Sequence, residues 1–185
     1  MEIALFGGSF DPPTSGHLLV VAYVLATEPV DEVWMVPVFE HPFGKKLVGS
    51  FELRADLCEA ALRSIPLPRA KVSLAEAELK GEGRTVDLLE HLHAVHPEHR
   101  FALVLGSDLL ADKPQWKRFD RIEELARIIV LRRGGFDSAE ARGVVLPEVS
   151  STQVRALLAS GGDATGLVPR AVLSRIAGQP PYRKT

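Results

Sequence analysis

Two short segments carry most of the residues whose types and spacing could do chemistry. The first, Gly7-Gly8-Ser9-Phe10-Asp11-Pro12-Pro13-Thr14-Ser15-Gly16-His17, follows the apolar run Ile3 to Phe6 and leads into another, Leu18 to Leu25. Glycines at 7 and 8 allow a tight turn and close approach of backbone to a phosphate, and Gly16 leaves room at the start of the next helix. His17 then falls in the first helical turn, where its ring can meet an anion held by backbone N–H groups and the helix dipole. The dipole disfavours an imidazolium and a bound polyphosphate favours it, so the protonation state stays open. A histidine that only caps a turn is the plainer alternative; the surrounding glycines and aspartate favour the anion site. The segment does not fit GxGxxG, and no Gly-Lys-Ser/Thr follows, so hydride transfer and P-loop hydrolysis lose support.

The second segment is Val149-Ser150-Ser151-Thr152-Gln153-Val154-Arg155. Hydroxyl residues ahead of Val154, Leu157 and Leu158 mark a helix N-terminus, a second anion site. With Ser151 near the N-cap, Arg155 lies one turn inside, and its side chain leans back toward the same anion. A capped surface helix with a solvated arginine is the bland reading of this stretch alone. A third cluster, Gly106-Ser107-Asp108, closes the apolar run Phe101 to Leu105, with Trp116 close behind. Trp116 offers a flat face for a pyridine or purine ring and Asp108 an acceptor for ribose hydroxyls; packing of the tryptophan and helix capping by the aspartate are the alternatives.

Those segments must be held by the elements around them. Short apolar runs at Ile3–Phe6, Val33–Val36, Lys71–Leu74, Phe101–Leu105, Ile128–Leu131 and Val144–Leu146 alternate with amphipathic stretches near 18–25, 51–63 and 85–95. A charged helical segment follows Leu105, and two terminal helices begin near Ser151 and Pro169. This alternation predicts an α/β fold: a Rossmann-like, doubly wound, mostly parallel sheet with helices on both faces. Both glycine-bearing segments then sit at the carboxyl edge of the sheet, where such folds bind ligands. The whole chain, 1–185, reads as a single domain, with C-terminal helices over 151–178 completing the site. The stretch Glu40 to Gly49, with its prolines, glycines and Lys45-Lys46, reads as a mobile loop beside it.

With 46% hydrophobic and 25% charged residues and a net charge of −2, the chain is a soluble globular protein with no general attraction for nucleic acid or membrane. A small anionic substrate suits it better. No signal peptide or membrane span is expected, which points to the cytoplasm, and a homo-oligomer is compatible with the sequence. Cys58, the lone cysteine, reads as core. His91, His93, His96 and His99 invite a metal reading. However, His91 and His93 do not share a helix face and Pro97 ends the helix, so no specific protein-held metal is expected.

The first segment resembles the GxFDPxxxGH signature of the nucleotidylyltransferase superfamily, and the second its Ser-Ser-Thr-x-x-Arg signature. The resemblance implies that Gly8, Ser9, Phe10, Thr14, Gly16 and His17 cradle the phosphates of ATP, with Gly106 and Asp108 also on the nucleotide. By the same resemblance, Ser151, Thr152 and Arg155 hold the β- and γ-phosphates, and His17, Thr14 and Arg155 carry the chemistry. Mg²⁺ would arrive with ATP. Gly-x-Asp, Trp116, Arg132-Arg133-Gly134 and Leu167-Val168-Pro169 are similar to the nicotinate or nicotinamide mononucleotide adenylyltransferase branch, over nearly the whole chain. Lys46, Arg84, Thr85, Asp108, Trp116 and Arg133 would then contact the mononucleotide acceptor. Two departures stand out. A Pro-Pro-His-Lys-like loop is replaced by Glu40-His41-Pro42-Phe43-Gly44-Lys45-Lys46, and Ser-Tyr-Thr by Gly83-Arg84-Thr85. An inward Arg84 would pair with a nicotinate carboxylate; an outward one would be solvated surface. The expected reaction is adenylyl transfer from ATP to nicotinate mononucleotide. Nicotinamide mononucleotide, phosphopantetheine, or nucleotide binding without turnover are the alternatives.

Overall fold

The computed structural model describes residues 1–40, 44, 46–79, 83–134, 142–147, 149–177 and 180–182. Six strands, β1 (Glu2–Gly8), β2 (Glu32–Pro37), β3 (Ala70–Val72), β4 (Arg100–Gly106), β5 (Ala126–Arg133) and β6 (Arg142–Leu146), form one sheet in the order β3-β2-β1-β4-β5-β6. Every pairing is parallel. The order reverses between β1 and β4, so the switch point of a doubly wound fold opens at Gly8 and Gly106.

Side chains alternate across the sheet, and both faces are covered, which is why the strands read as unbroken apolar runs. Ala4, Val33, Met35, Ala102, Val104 and Ile129 face one core, which they share with α1 (Ser15–Thr27), α2 (Phe51–Arg63), α6 (Ser151–Ala159) and α7 (Arg170–Ile176). Ile3, Leu5, Trp34, Val36, Phe101, Leu103 and Leu105 face the other, against α3 (Ala75–Leu79), α4 (Thr85–Val95) and α5 (Phe119–Leu125). Cys58 lies wholly inside the first core, where burial pushes its thiol pKa upward.

Three expectations need adjusting. Strand β3 ends at Val72 and a short helix, α3, takes over at Ala75. The charged segment after β4 is a 3₁₀ helix, Ser107–Gln115, with Pro114 near its end, followed by the separate α5 after Arg118 turns left-handed at φ +52°. Gly7 and Gly8 are the last residues of β1 rather than a turn, and the reversal comes at Phe10, whose φ is +45°. Of the predicted 40–49 loop, residues 41–43 and 45 lie outside the described residues.

Candidate active site

A cavity of about 720 Å³ opens at the switch point. It is lined by Gly8, Ser9, Phe10, Gly16 and His17 from the first segment and by Ser151, Thr152 and Arg155 from the second. Gly106, Asp108 and Trp116 follow β4 into it, and Arg84 and Thr85 bring the start of α4. Residues as far apart as Phe6 and Arg155 thus meet in one space because β1 and β4 end, and the helices that line it begin, at the same sheet edge.

The first segment is organised around His17. The Thr14 N–H donates to its Nδ1 at 2.8 Å. An amide N–H can only donate, so Nδ1 is unprotonated in this arrangement and the ring proton sits on Nε2. The ring packs edge-on to Phe10 with centroids 5.0 Å apart and is 5.9 Å from Phe6. Phe10 in turn explains Gly8: a Cβ there would lie 2.9 Å from the Phe10 ring, while one at Gly7 would meet nothing within 4 Å. Gly8 is needed to seat an aromatic side chain, and Gly7 leaves the cavity floor as bare backbone.

Thr14 differs from its expected role. It is fully buried and is not on the cavity wall. Its hydroxyl is 3.0 Å from His17 Nδ1 and donates to the Val149 carbonyl at 3.2 Å, tying the two segments together. The second segment returns two more ties. Ser151 Oγ donates to the Pro12 carbonyl at 2.8 Å, and Arg155 Nη1 donates to the carbonyl of Asp11. Ser150, rather than Ser151, is the N-cap of α6, accepting from Gln153 N at 3.1 Å. Arg155 Nη2 also donates to Thr152 Oγ1 at 3.2 Å, which fixes the fork of the guanidinium at the helix N-terminus.

The acceptor side is less complete. Arg84 is half-buried and lines the cavity. Trp116 stands edge-on to Phe119 at 5.8 Å, and its Nε1 has no hydrogen-bond partner among the described residues. Lys46 is exposed and does not line the cavity; its neighbour Leu47 does. Arg133 closes β5, with its side chain outside what is described.

Arg54 and Glu76 carried no sequence signal of function, and Asp11, although part of the first segment, was given no role of its own. Asp11, 2% exposed, accepts from Val48 N (2.7 Å), Gly49 N (3.0 Å) and the Tyr182 hydroxyl (2.6 Å). Arg54, 1% exposed, donates to the carbonyls of Ser9 (2.9 Å), Val38 (2.8 Å) and Gly49 (3.2 Å), bracing the loops on either side of the cavity. Burial lowers its pKa, and the Asp11 charge opposes that. Glu76 of α3 lines the cavity, and burial pushes its pKa up to about 7 against the pull of the Phe39 N–H. An α2 helix pattern gives no hint that one arginine of its polar set turns inward, and a five-residue helix shows no period at all. Among the described residues, the one His/Cys/Asp/Glu group compact enough to hold an ion is His96, Glu98 and His99, on the turn between α4 and β4 at the opposite sheet edge. Also among the described residues, no helix is long and apolar enough to cross a membrane.

Residues 5–157 match the cytidylyltransferase-like family model. A probable nicotinate-nucleotide adenylyltransferase of Anaeromyxobacter dehalogenans is 50% identical, over 98% of this chain and 97% of that protein. A protein of the same name from Myxococcus xanthus is 48% identical, over 91% of this chain and 88% of its own length. Among solved structures, a Plasmodium falciparum nicotinic acid mononucleotide adenylyltransferase complexed with NaAD superimposes with a TM-score of 0.82 at 22% identity, covering 98% and 97% of the two chains.

Proposed function

The chain belongs to the cytidylyltransferase-like family, alongside its nicotinate-nucleotide adenylyltransferases, and on that footing we propose that it transfers the adenylyl group of ATP to nicotinate mononucleotide. The products are deamido-NAD and pyrophosphate. One observation carries the reading beyond family: two helix N-termini with His17 and Arg155, and a second group with Trp116, Arg84 and Thr85, line a single cavity. The first pair suits a polyphosphate, the second an aromatic ring bearing an anion.

In the reaction a phosphate oxygen of the acceptor attacks the α-phosphorus, and the bond from that phosphorus to the bridging oxygen breaks as pyrophosphate departs. Positioning and charge stabilisation do the catalysis, with no covalent intermediate on the protein. His17, neutral with its proton on Nε2, acts as a hydrogen-bond donor to phosphate oxygen. Arg155, Thr152 and the α6 N-terminus suit the β- and γ-phosphates, and Ser9, Gly8 and Gly16 give backbone room along the chain of phosphates. Thr14 is a positioning residue rather than a contact: it holds the tautomer of His17 and the seam to Val149. In the second group, Arg84 and Thr85 suit the nicotinate carboxylate, Trp116 the ring, and Asp108 with Gly106 the ribose. Lys46, beside the cavity-lining Leu47, and Arg133, at the end of β5, complete the acceptor set of this proposal.

Mg²⁺ fits this site as part of the nucleotide rather than as a resident ion. The carboxylate of Asp11 is committed to three donors; Asp108 and Glu76 are the other acids on the cavity wall, and Asp108 would reach a phosphate-bound ion through water. When bound, the ion would neutralise phosphate charge as pyrophosphate leaves. A single catalytic domain working in the cytoplasm is consistent with these features.

The test is pyrophosphate release from Mg-ATP with nicotinate mononucleotide, nicotinamide mononucleotide and phosphopantetheine offered separately. Strong preference for nicotinate mononucleotide is expected. Preference for the amide would remove Arg84 from acceptor recognition, and turnover of phosphopantetheine alone would overturn the assignment.

A further inference from the structure

Arg155 stands between two spaces. On one side is the main cavity; on the other is a smaller groove of about 420 Å³, whose wall includes Val48, Pro181 and Tyr182. Tyr182 is 3% exposed and belongs to a short 3₁₀ turn, Pro180–Tyr182, far along the chain from either phosphate-binding segment. Its hydroxyl reaches 171 positions back to donate to Asp11 Oδ1 at 2.6 Å.

That contact matters because of what else Asp11 does. Its backbone carbonyl anchors the Arg155 guanidinium, while its carboxylate Oδ2 is only 4.0 Å from the same Nη1. The carboxylate is buried, and a buried acceptor seeks a full set of donors. Val48 N, Gly49 N and the Tyr182 hydroxyl supply three, which keeps the acid turned toward the 48–49 loop. Remove the hydroxyl and Oδ1 keeps Gly49 N alone; a small rotation of the carboxylate would then draw in Arg155, the strongest donor within reach. The guanidinium would be spent on a protein carboxylate instead of on phosphate. Gly49 belongs to the same arrangement: a Cβ at that position would lie 2.5 Å from the Tyr182 oxygen. Burial and the Asp11 charge both raise the tyrosine pKa, so the hydroxyl remains a donor across the neutral range.

We infer that Tyr182 is a positioning residue for the triphosphate half of the site, acting through Asp11 to hold Arg155 toward the nucleotide. The inference rests on the adenylyltransferase reading above. Steady-state kinetics on the full chain test it, with ATP and nicotinate mononucleotide varied in turn for the wild type, Tyr182→Phe, Asp11→Asn and the double variant. Failure of the wild type to turn over would strike the reading itself; every other outcome bears on Tyr182. Tyr182→Phe keeps the buried ring. It should raise KM for ATP roughly five- to tenfold, the scale of one ordinary hydrogen bond, with KM for the acceptor and the thermal midpoint close to wild type. Asp11→Asn should show the same ATP-selective loss, and the double variant little more than the larger single effect. An unchanged KM for ATP in Tyr182→Phe, or a parallel rise in both KM values with a lowered midpoint, would reduce Tyr182 to ordinary packing and overturn the inference. Additive losses in the double variant would overturn the route through Asp11.

Discussion

His17 and Glu76 show how differently two cavity residues are written in a sequence. His17 sits in a run of special residues, and its ring is fixed by a main-chain donor and two aromatic neighbours. Replacing it by alanine should cut turnover by about 10²–10³, the scale for removing a preorganised donor to a developing anion, with the fold retained in circular dichroism. Near-normal turnover would take His17 out of the mechanism. Glu76 looks like one of many helix-surface acids and is instead buried, with its pKa held up to about 7. The sign follows from linkage: the unfolded chain ionises this acid from its ordinary value of 4.5, the folded one only near 7. The contribution to stability is thus fully present below 4.5 and is lost as pH rises through 7, by about 3 kcal/mol. Urea unfolding of wild type and Glu76→Gln at pH 5 and pH 8 reads this out. The wild type should lose stability relative to the variant at the higher pH, and parallel profiles would refute the assignment.

At the level of elements, each strand core and each long helix was legible because burial on both faces leaves a signal that side-chain period carries directly. The starts of α2, α4, α6 and α7 were legible to within one residue, whereas α1 begins three residues before its apolar run. Ser150, not Ser151, caps α6, since either hydroxyl satisfies the pattern and only the backbone extension at 150 decides. Ser150→Ala should cost about 1 kcal/mol, seen as a melting midpoint lower by about 2–4 °C. No change would mean that the α6 N-terminus draws its stability from Ser151 and the Pro12 carbonyl instead. The two elements flanking the acceptor wall were not legible. α3 is too short to show a period, and the 3₁₀ helix at Ser107–Gln115 contains a proline that interrupts one. The candidate site was therefore readable where glycines, prolines and hydroxyls crowd together. It was unreadable at Arg54 and Tyr182, and Asp11 was marked by the first segment without its partners, because the meaning of all three lies in contacts tens of residues away.

Taken whole, the molecule is a sheet whose two halves are clasped at one edge by side chains on main-chain carbonyls. Mg-ATP binding there should stabilise the folded chain by about 2.7 kcal/mol at 100 times Kd. A rise in melting midpoint of roughly 5–10 °C is expected, most of it lost in Arg155→Met. Equal protection of wild type and variant would place the triphosphate elsewhere. The clasp also has a kinetic meaning. Its three ties span 135, 139 and 144 positions of chain. Closing loops of that length before their contacts reward it is the slow, entropically opposed part of folding, whereas the β1–β2 and β4–β5 pairs join neighbours along the chain. The capacity to hold a nucleotide then arises last. A refolding chain would regain its backbone dichroism before it can retain ATP, and the lag between the two would time the meeting of its distant ends.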